Sequence, residues 1–317
     1  MEINRARSIA KKDQKLFFII FYLALVILIF FDKISPFGIT LLDDKVDLVM
    51  WAKNGAGMLS TVLRRIEEVI PNDEVDKKIF VDDHSVDETP LIAKDFGWSV
   101  YLNKKGGVGG GANLALRHVT RKYFVSFEQD VILAREWWEK IPRYLERREV
   151  AVAQGWRISN HPVIGKIDEY SMERFRSSLC SIDNTIYKTE VIRALGGFPE
   201  HLKYTGVDAY VHQRVLNAGL KWVTDSSVIS VHLRKGGLRE QIKRYYHYGM
   251  DMPVLAQEEL FIKAGVTSRL TRSALIALFS PFRGLEIAIK KKCPQALYYY
   301  PIIRFSHLAG CLKRAVS

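Results

Sequence analysis

The chain has 317 residues and is 48% hydrophobic and 26% charged, which excludes a mostly disordered or collagen-like protein and suits one large domain with extras. Its three cysteines, Cys180, Cys293 and Cys311, form no C-x-x-C pair, which argues against a disulfide scaffold or a cysteine zinc site and fits a reducing compartment. The formal charge of +12 is uneven: residues 1–45 carry net +2, residues 46–232 carry 25 charges of each sign, and residues 233–317 carry 15 basic against 5 acidic side chains.

Residues 16–31, LFFIIFYLALVILIFF, form an apolar run of sixteen without a charge. A full membrane span needs about 20 residues, so this run predicts an anchor that is either a short span or a re-entrant segment. The basic residues before it, Arg5 to Lys15, would stay on the cytoplasmic side. A single span would then export everything downstream, whereas a hairpin or in-plane insertion would leave the rest membrane-associated and cytoplasmic.

From residue 46 strands and helices alternate. VDLVMWA (46–52), KIFVDD (78–83), WSVYL (98–102), YFVSFE (123–128) and VAVAQG (150–155) read as buried strands. Helical spacing recurs at Met58, Val62, Leu63, Ile66, Val69 and Ile70, and further helices are expected near 109–121 and 135–146. Thr89 followed by Pro90 marks a helix start, as N-cap and first-turn proline. This order predicts a mostly parallel sheet with helices on both faces. Residues 157–185 read as irregular and polar; helices near 189–195 and 207–218 and a short strand pair over 221–231 follow. Residues 268–312 read as two helical stretches broken near Pro281 and Pro294, with Tyr298, Ile302, Phe305, Ala309 and Leu312 on one face. The division expected is an arm and membrane segment (1–45), a catalytic domain (46–237) and a basic amphipathic tail (238–317). The tail suggests an anionic membrane surface as partner, or else packing on the domain or on another subunit. Nucleic acid is not expected, because the middle has no basic stripe.

In open α/β sheets, ligands sit at the carboxyl ends of the strands. The first strand delivers Ala52-Lys53-Asn54-Gly55, the second Asp82-Asp83-His84-Ser85, and the fourth Glu128-Gln129-Asp130. The third is followed by Asn103 and the run Gly106 to Gly111. Crowded carboxylates repel unless a cation or hydrogen-bond donors stabilise them. Hard divalent ions such as Mg²⁺ or Mn²⁺ take oxygen ligands and bind through one or two carboxylates plus phosphates, so this edge reads as a metal–diphosphate site.

VDDHSVDET (81–89) resembles the VDDxSxDxT stretch of the family 2 glycosyltransferases. Glu128-Gln129-Asp130 sits where those enzymes have their DxD, GGFPEHLKYTGVDAYVHQRVLNAGLKW (196–222) resembles their acceptor-side segment, and VISVHLRKGG (228–237) resembles their late V-x-H-x-R element. The resemblance implies a GT-A-type nucleotide-diphospho-sugar transferase fold. It also implies inverting transfer from a nucleotide-sugar donor to a hydroxyl acceptor, a glycan or a lipid-linked molecule. It assigns the donor to Ala52, Asn54, Asp82, Asp83, Gly109, Asn113 and Glu128, a divalent metal to Asp130 and His232, and the catalytic base to Asp208. The sequence departs from the family pattern at Glu128 in the DxD, at Val207 before the base, and in AKNG at the end of the first strand.

Other readings compete. Gly107 to Ala112 fits G-x-G-x-x-G/A, with Glu128 about twenty residues on, as in an NAD-dependent oxidoreductase. Against this, the run follows the third strand rather than the first, and it leaves VDDHS and Asp130 unexplained. A non-catalytic membrane-bound partner of the same fold is a third class. Asp82, Asp83 and Asp130 also suit turns, Asp208 a helix N-terminus, and His232 an edge strand. Gln241 to Tyr245, QIKRY, is similar to the QxxRW of processive synthases, or else a solvated basic helix.

Overall fold

The computed structural model describes residue 42 and residues 44–175, 180–257 and 266–316. The 16–31 segment lies outside them. Among the described residues no helix is long and apolar enough to cross a membrane.

Eight strands form one sheet: β1 (Val46–Ala52), β2 (Val75–Asp82), β3 (Ser99–Leu102), β4 (Tyr123–Glu128), β5 (Val131–Ile132), β6 (Val150–Ser159), β7 (Asn184–Lys188) and β8 (Lys221–His232). Their order is β3-β2-β1-β4-β7-β6-β8-β5. The half β3-β2-β1-β4 is parallel, as the alternating order requires. β7 then enters the middle antiparallel to both β4 and β6, which makes the sheet mixed. β6 and β8 pair in parallel, and β5 closes the edge antiparallel to β8.

Every residue of β1 is buried, as expected of a central strand covered on both faces. Helix α1 (Ala56–Val69) buries Val62, Leu63 and Ile66 of the expected spacing and also Leu59, whereas Met58 and Val69 are half-buried. Asp47 of β1 is fully buried and accepts from the backbone N–H groups of Lys77 (3.2 Å), Thr120 (2.6 Å) and Arg121 (3.0 Å), fixing where neighbouring segments start. Helix α2 (Thr89–Asp95) begins at the expected place, but Glu88 is its N-cap residue and no side chain caps it. The Thr89 hydroxyl instead accepts from Gly55 N–H (2.7 Å) and donates to Asp87 (2.5 Å).

Helix α3 (Gly107–His118) packs on β1 and β2. The expected helix near 135–146 is a short α4 (Trp137–Lys140) followed by a 3₁₀ turn, Pro142–Glu146. Residues 157–185 are not irregular: β6 runs on to Ser159, α5 spans Pro162–Arg174, and β7 begins at Asn184. After α6 (Thr189–Ala194) and α7 (Val207–Asn217), the expected strand pair is the single twelve-residue β8.

The remaining chain is helical: α8 (Leu238–Gln257), α9 (Val266–Leu278), α10 (Ser280–Lys290) and α11 (Ala296–Val316). Both prolines act as breaks: Pro281 sits in the first turn of α10 and Pro294 just before α11. α5 joins this layer to the sheet, since Val163, Ile164, Ile167 and Tyr170 share a core with Ile287, Cys293, Ala296, Tyr300 and Ile303. α8 and α11 cross at Gly249 and Gly310. A Cβ on Gly249 would stand 2.1 Å from the His307 carbonyl oxygen, and one on Gly310 2.0 Å from that of Tyr246, so neither position admits a side chain.

Candidate active site

β1, β2 and β4 run in register, with Ala52 opposite Asp82 and Trp51 opposite Glu128, so their carboxyl ends share one edge. The turns there are tightly bonded. Asn54 and His84 adopt left-handed backbone angles (φ 52° and 61°), uncommon outside glycine and frequent at functional sites. Asn54 N–H donates to the Ser85 hydroxyl, and its side-chain oxygen accepts from Val86 N–H, both at 2.9 Å. Gln129 makes a double bridge to the Lys53 backbone (2.9 and 3.0 Å), tying the end of β4 to that of β1.

Two adjoining clefts open above this edge. One is lined by Ala52, Lys53, Asp83, Gly107 and Gln129, the other by Arg157, Asp208, His232, Arg234 and Arg244. Both share Val108, Glu128, Asp130, Tyr204 and Tyr248. β5 pairs Val131 with His232, which brings Asp130 beside that histidine. His232 Nε2 lies 3.2 Å from Asp130 Oδ2. Ligand atoms of Glu128, Asp130 and His232 all lie within 4.8 Å of one another, close enough to share one ion.

The electrostatics match that chemistry. Burial pushes the Glu128 carboxyl up, aided by the charges of Asp183 and Asp130. Burial would raise Asp130 as well, but its bond to His232 and the charges of His232, Arg244 and Arg234 hold it below the usual carboxylate range. Burial lowers His232, so the ring favours its neutral, ligating form, although Asp130 opposes this. Two acids and a neutral imidazole suit a hard or borderline divalent cation. Asp208 sits in the first turn of α7 and accepts its neighbour's N–H, from Ala209 at 2.8 Å. Burial pushes its carboxyl up, against that bond and the positive charge of Arg157.

The other candidates divide. Asp83 lines the donor-side cleft and accepts from Asn103 Nδ2 (2.8 Å) and Gly107 N–H (3.0 Å). Asp82 is buried beneath it and accepts from Ser85 N–H (3.2 Å). Asn54 does not line either cleft. Asn113 is occupied elsewhere, donating to Glu200 (2.8 Å) and accepting from Phe198 N–H (3.3 Å). Gly109 is buried against Pro199, where a Cβ would stand 1.8 Å from the carbonyl oxygen. The amides at the start of α3 are already bonded: Gly107 to Asp83, Val108 to the Lys203 carbonyl and Gly109 to the Leu202 carbonyl. The glycine run therefore seats a helix against residues 199–203. Its first amides are committed within the protein, which counts against the rival dinucleotide reading.

Two residues escaped the sequence reading, Arg157 and Asp251. Arg157, on β6, forms an ion pair with the buried Asp183 and faces the cleft. Asp251 of α8 accepts from the N–H groups of Tyr204 (2.5 Å) and Thr205 (2.8 Å), holding the loop before Asp208. Arg244 lines the cleft and Gln241 is fully buried, so this helix is not merely a solvated basic one; the Gln-x-x-Arg spacing was the available signal. Trp137 and Trp138 are packing residues, and the Trp137 indole donates to the Asn184 carbonyl (2.9 Å).

Residues 47–197 match the family model described as Glycosyl transferase family 2. No curated protein matches the chain. Among solved structures, mannosyltransferase PcManGT from Pyrobaculum calidifontis, in complex with GDP-Man and Mn²⁺, is 20% identical with a TM-score of 0.59 over 86% of this chain and 87% of its own. Glucosyl-3-phosphoglycerate synthase from Mycobacterium tuberculosis, in complex with Mn²⁺, UDP and glucosyl-3-phosphoglycerate, is 16% identical with a TM-score of 0.50 over 68% and 79%. Residues 47–197 thus carry a glycosyltransferase family 2 domain, and the chain has a GT-A fold.

Proposed function

We propose that this protein is a glycosyltransferase that moves a sugar, with inversion, from a nucleotide diphosphate to a hydroxyl of a glycan or lipid-linked acceptor, using a divalent metal. The observation that carries this reading is the meeting of Glu128, Asp130, His232 and Asp208 around two joined clefts. Asp83 lines the donor side, where it would hold ribose or base, with Asp82 fixing the turn behind it. Glu128, Asp130 and His232 would hold the cation, which when bound supplies the positive charge that stabilises a departing diphosphate.

On the acceptor side, Asp208 takes the proton from the attacking hydroxyl. Its raised proton affinity brings it closer to neutrality, where a general base works best. Arg157, fixed by Asp183, opposes that rise with its positive charge. Asp251 positions the Tyr204–Thr205 loop that leads into α7. The free cysteines suit a reducing milieu, which supports a catalytic domain on the cytoplasmic side.

The test is a donor screen by calorimetry, with nucleotide-sugars in Mn²⁺, Mg²⁺ or excess chelator. Metal-dependent binding of one nucleotide diphosphate is expected; undiminished donor affinity in chelator overturns the metal assignment. The anomeric configuration of the product, read by NMR, tests inversion.

A further inference from the structure

The outer face of the C-terminal helices is unlike the rest of the surface. Leu278, Phe282, Leu285 and Ile289 follow one another at spacings of four, three and four residues, a single stripe from the end of α9 along α10. They are 63%, 72%, 47% and 69% exposed. Phe279, 57% exposed with its ring 6.4 Å from that of Phe282, widens the stripe. An exposed apolar patch of this kind marks an interaction site. Residues 266–316 hold nine Lys or Arg and one acidic residue, Glu286, whereas residues 46–232 are neutral.

The charge identifies what covers the face. A second copy would bring the same positive charge, and residues 1–45 are themselves net +2. We propose that this face docks on a lipid bilayer with anionic headgroups: the stripe enters the headgroup–acyl boundary while the surrounding guanidinium and ammonium groups engage the phosphates. This surface is independent of the sugar-transfer assignment, so either can fail alone. It is joined to the cleft, because α8 carries Arg244 and Tyr248 into the cleft and packs against α11.

The test uses the full chain carrying Phe282→Trp, with vesicles whose acyl chains are brominated. On anionic vesicles the reporter's emission should fall by about twofold or more, as expected for a ring at acyl depth. A Leu91→Trp reporter on α2, at an exposed position far along the chain from this layer, should not respond. Separately, Lys292→Glu, Lys313→Glu and Arg314→Glu together should reduce the preference for anionic over neutral vesicles by about fivefold or more per side chain at low salt, and high salt should abolish the difference. A Phe282→Trp reporter that stays unquenched on vesicles that have captured the protein overturns the proposal. So does cross-linking of the stripe to a second copy or to residues 1–41, or an unchanged lipid preference in the triple variant.

Discussion

Around the clefts, charged groups are buried and matched, Asp183 with Arg157 and Asp130 with His232. In the layer of α8 to α11 the buried contacts are largely apolar and the basic groups stand outside, as at Lys290, whose partner is the surface residue Glu286. The first arrangement costs stability wherever a carboxylate ionises out of water, and it provides proton affinities and fields that chemistry can use. The second rests on shape and tolerates changes of charge. Asp251 belongs to both, being a buried carboxylate on α8 that holds a cleft loop.

The sharpest way to break this contrast is Asp208→Asn. Turnover should fall by about 10²- to 10⁴-fold, the usual worth of a positioned base, with donor affinity little changed. The folded protein favours the protonated acid, so the stability this group contributes is present below the ordinary aspartate range and is lost as pH rises through its raised value. The variant should therefore melt at a higher temperature than the parent at neutral pH, and a loss of both stability and turnover would contradict the contrast. In the parent, the acid limb of kcat/KM should lie above the usual aspartate range, and Asp208→Asn should remove it.

Asp251→Ala comes next. It leaves two part-buried amides without the carboxylate they now bond to, at a cost of about 1–3 kcal/mol by chemical denaturation, with turnover lowered in the refolded fraction. Gly310→Leu should cost about 1–3 kcal/mol by overpacking the crossing with α8, with no change in metal affinity. Lys290→Ala should leave the melting temperature unchanged, because its ion pair is exposed and screened.

The parallel half of the sheet was legible because β1, β4 and the second half of β2 are largely apolar runs, the last two ending in acids. β7 was not. In NTIYK the polar Asn184 and Thr185 are wholly buried, and Thr185 is satisfied by the Ser181 carbonyl, so neither alternation nor an apolar run marks the strand. Without β7, the reversal at the centre of the sheet had no signal. Asp130 and His232 could be matched by motif, but their contact depends on β5 pairing with β8 across a hundred residues. Arg157 and Asp251 owe their place to long-range partners, which no local spacing encodes. Asn113 and Gly109 show the opposite error: they stand beside the site in sequence, yet tertiary contacts claim them for packing.

The side-chain-free crossing of Gly249 and Gly310 bears on when the enzyme becomes competent during synthesis. The strands that carry Asp83, Glu128, Asp130 and His232 emerge from the ribosome first and can pair among themselves. Asp251, which holds the loop before Asp208, lies on a helix seated by α11, and α11 is made after every strand of the sheet. A nascent chain can therefore pair these strands while Asp208, the proposed proton acceptor, is still unpositioned, and on that reading catalysis waits until the two glycines meet.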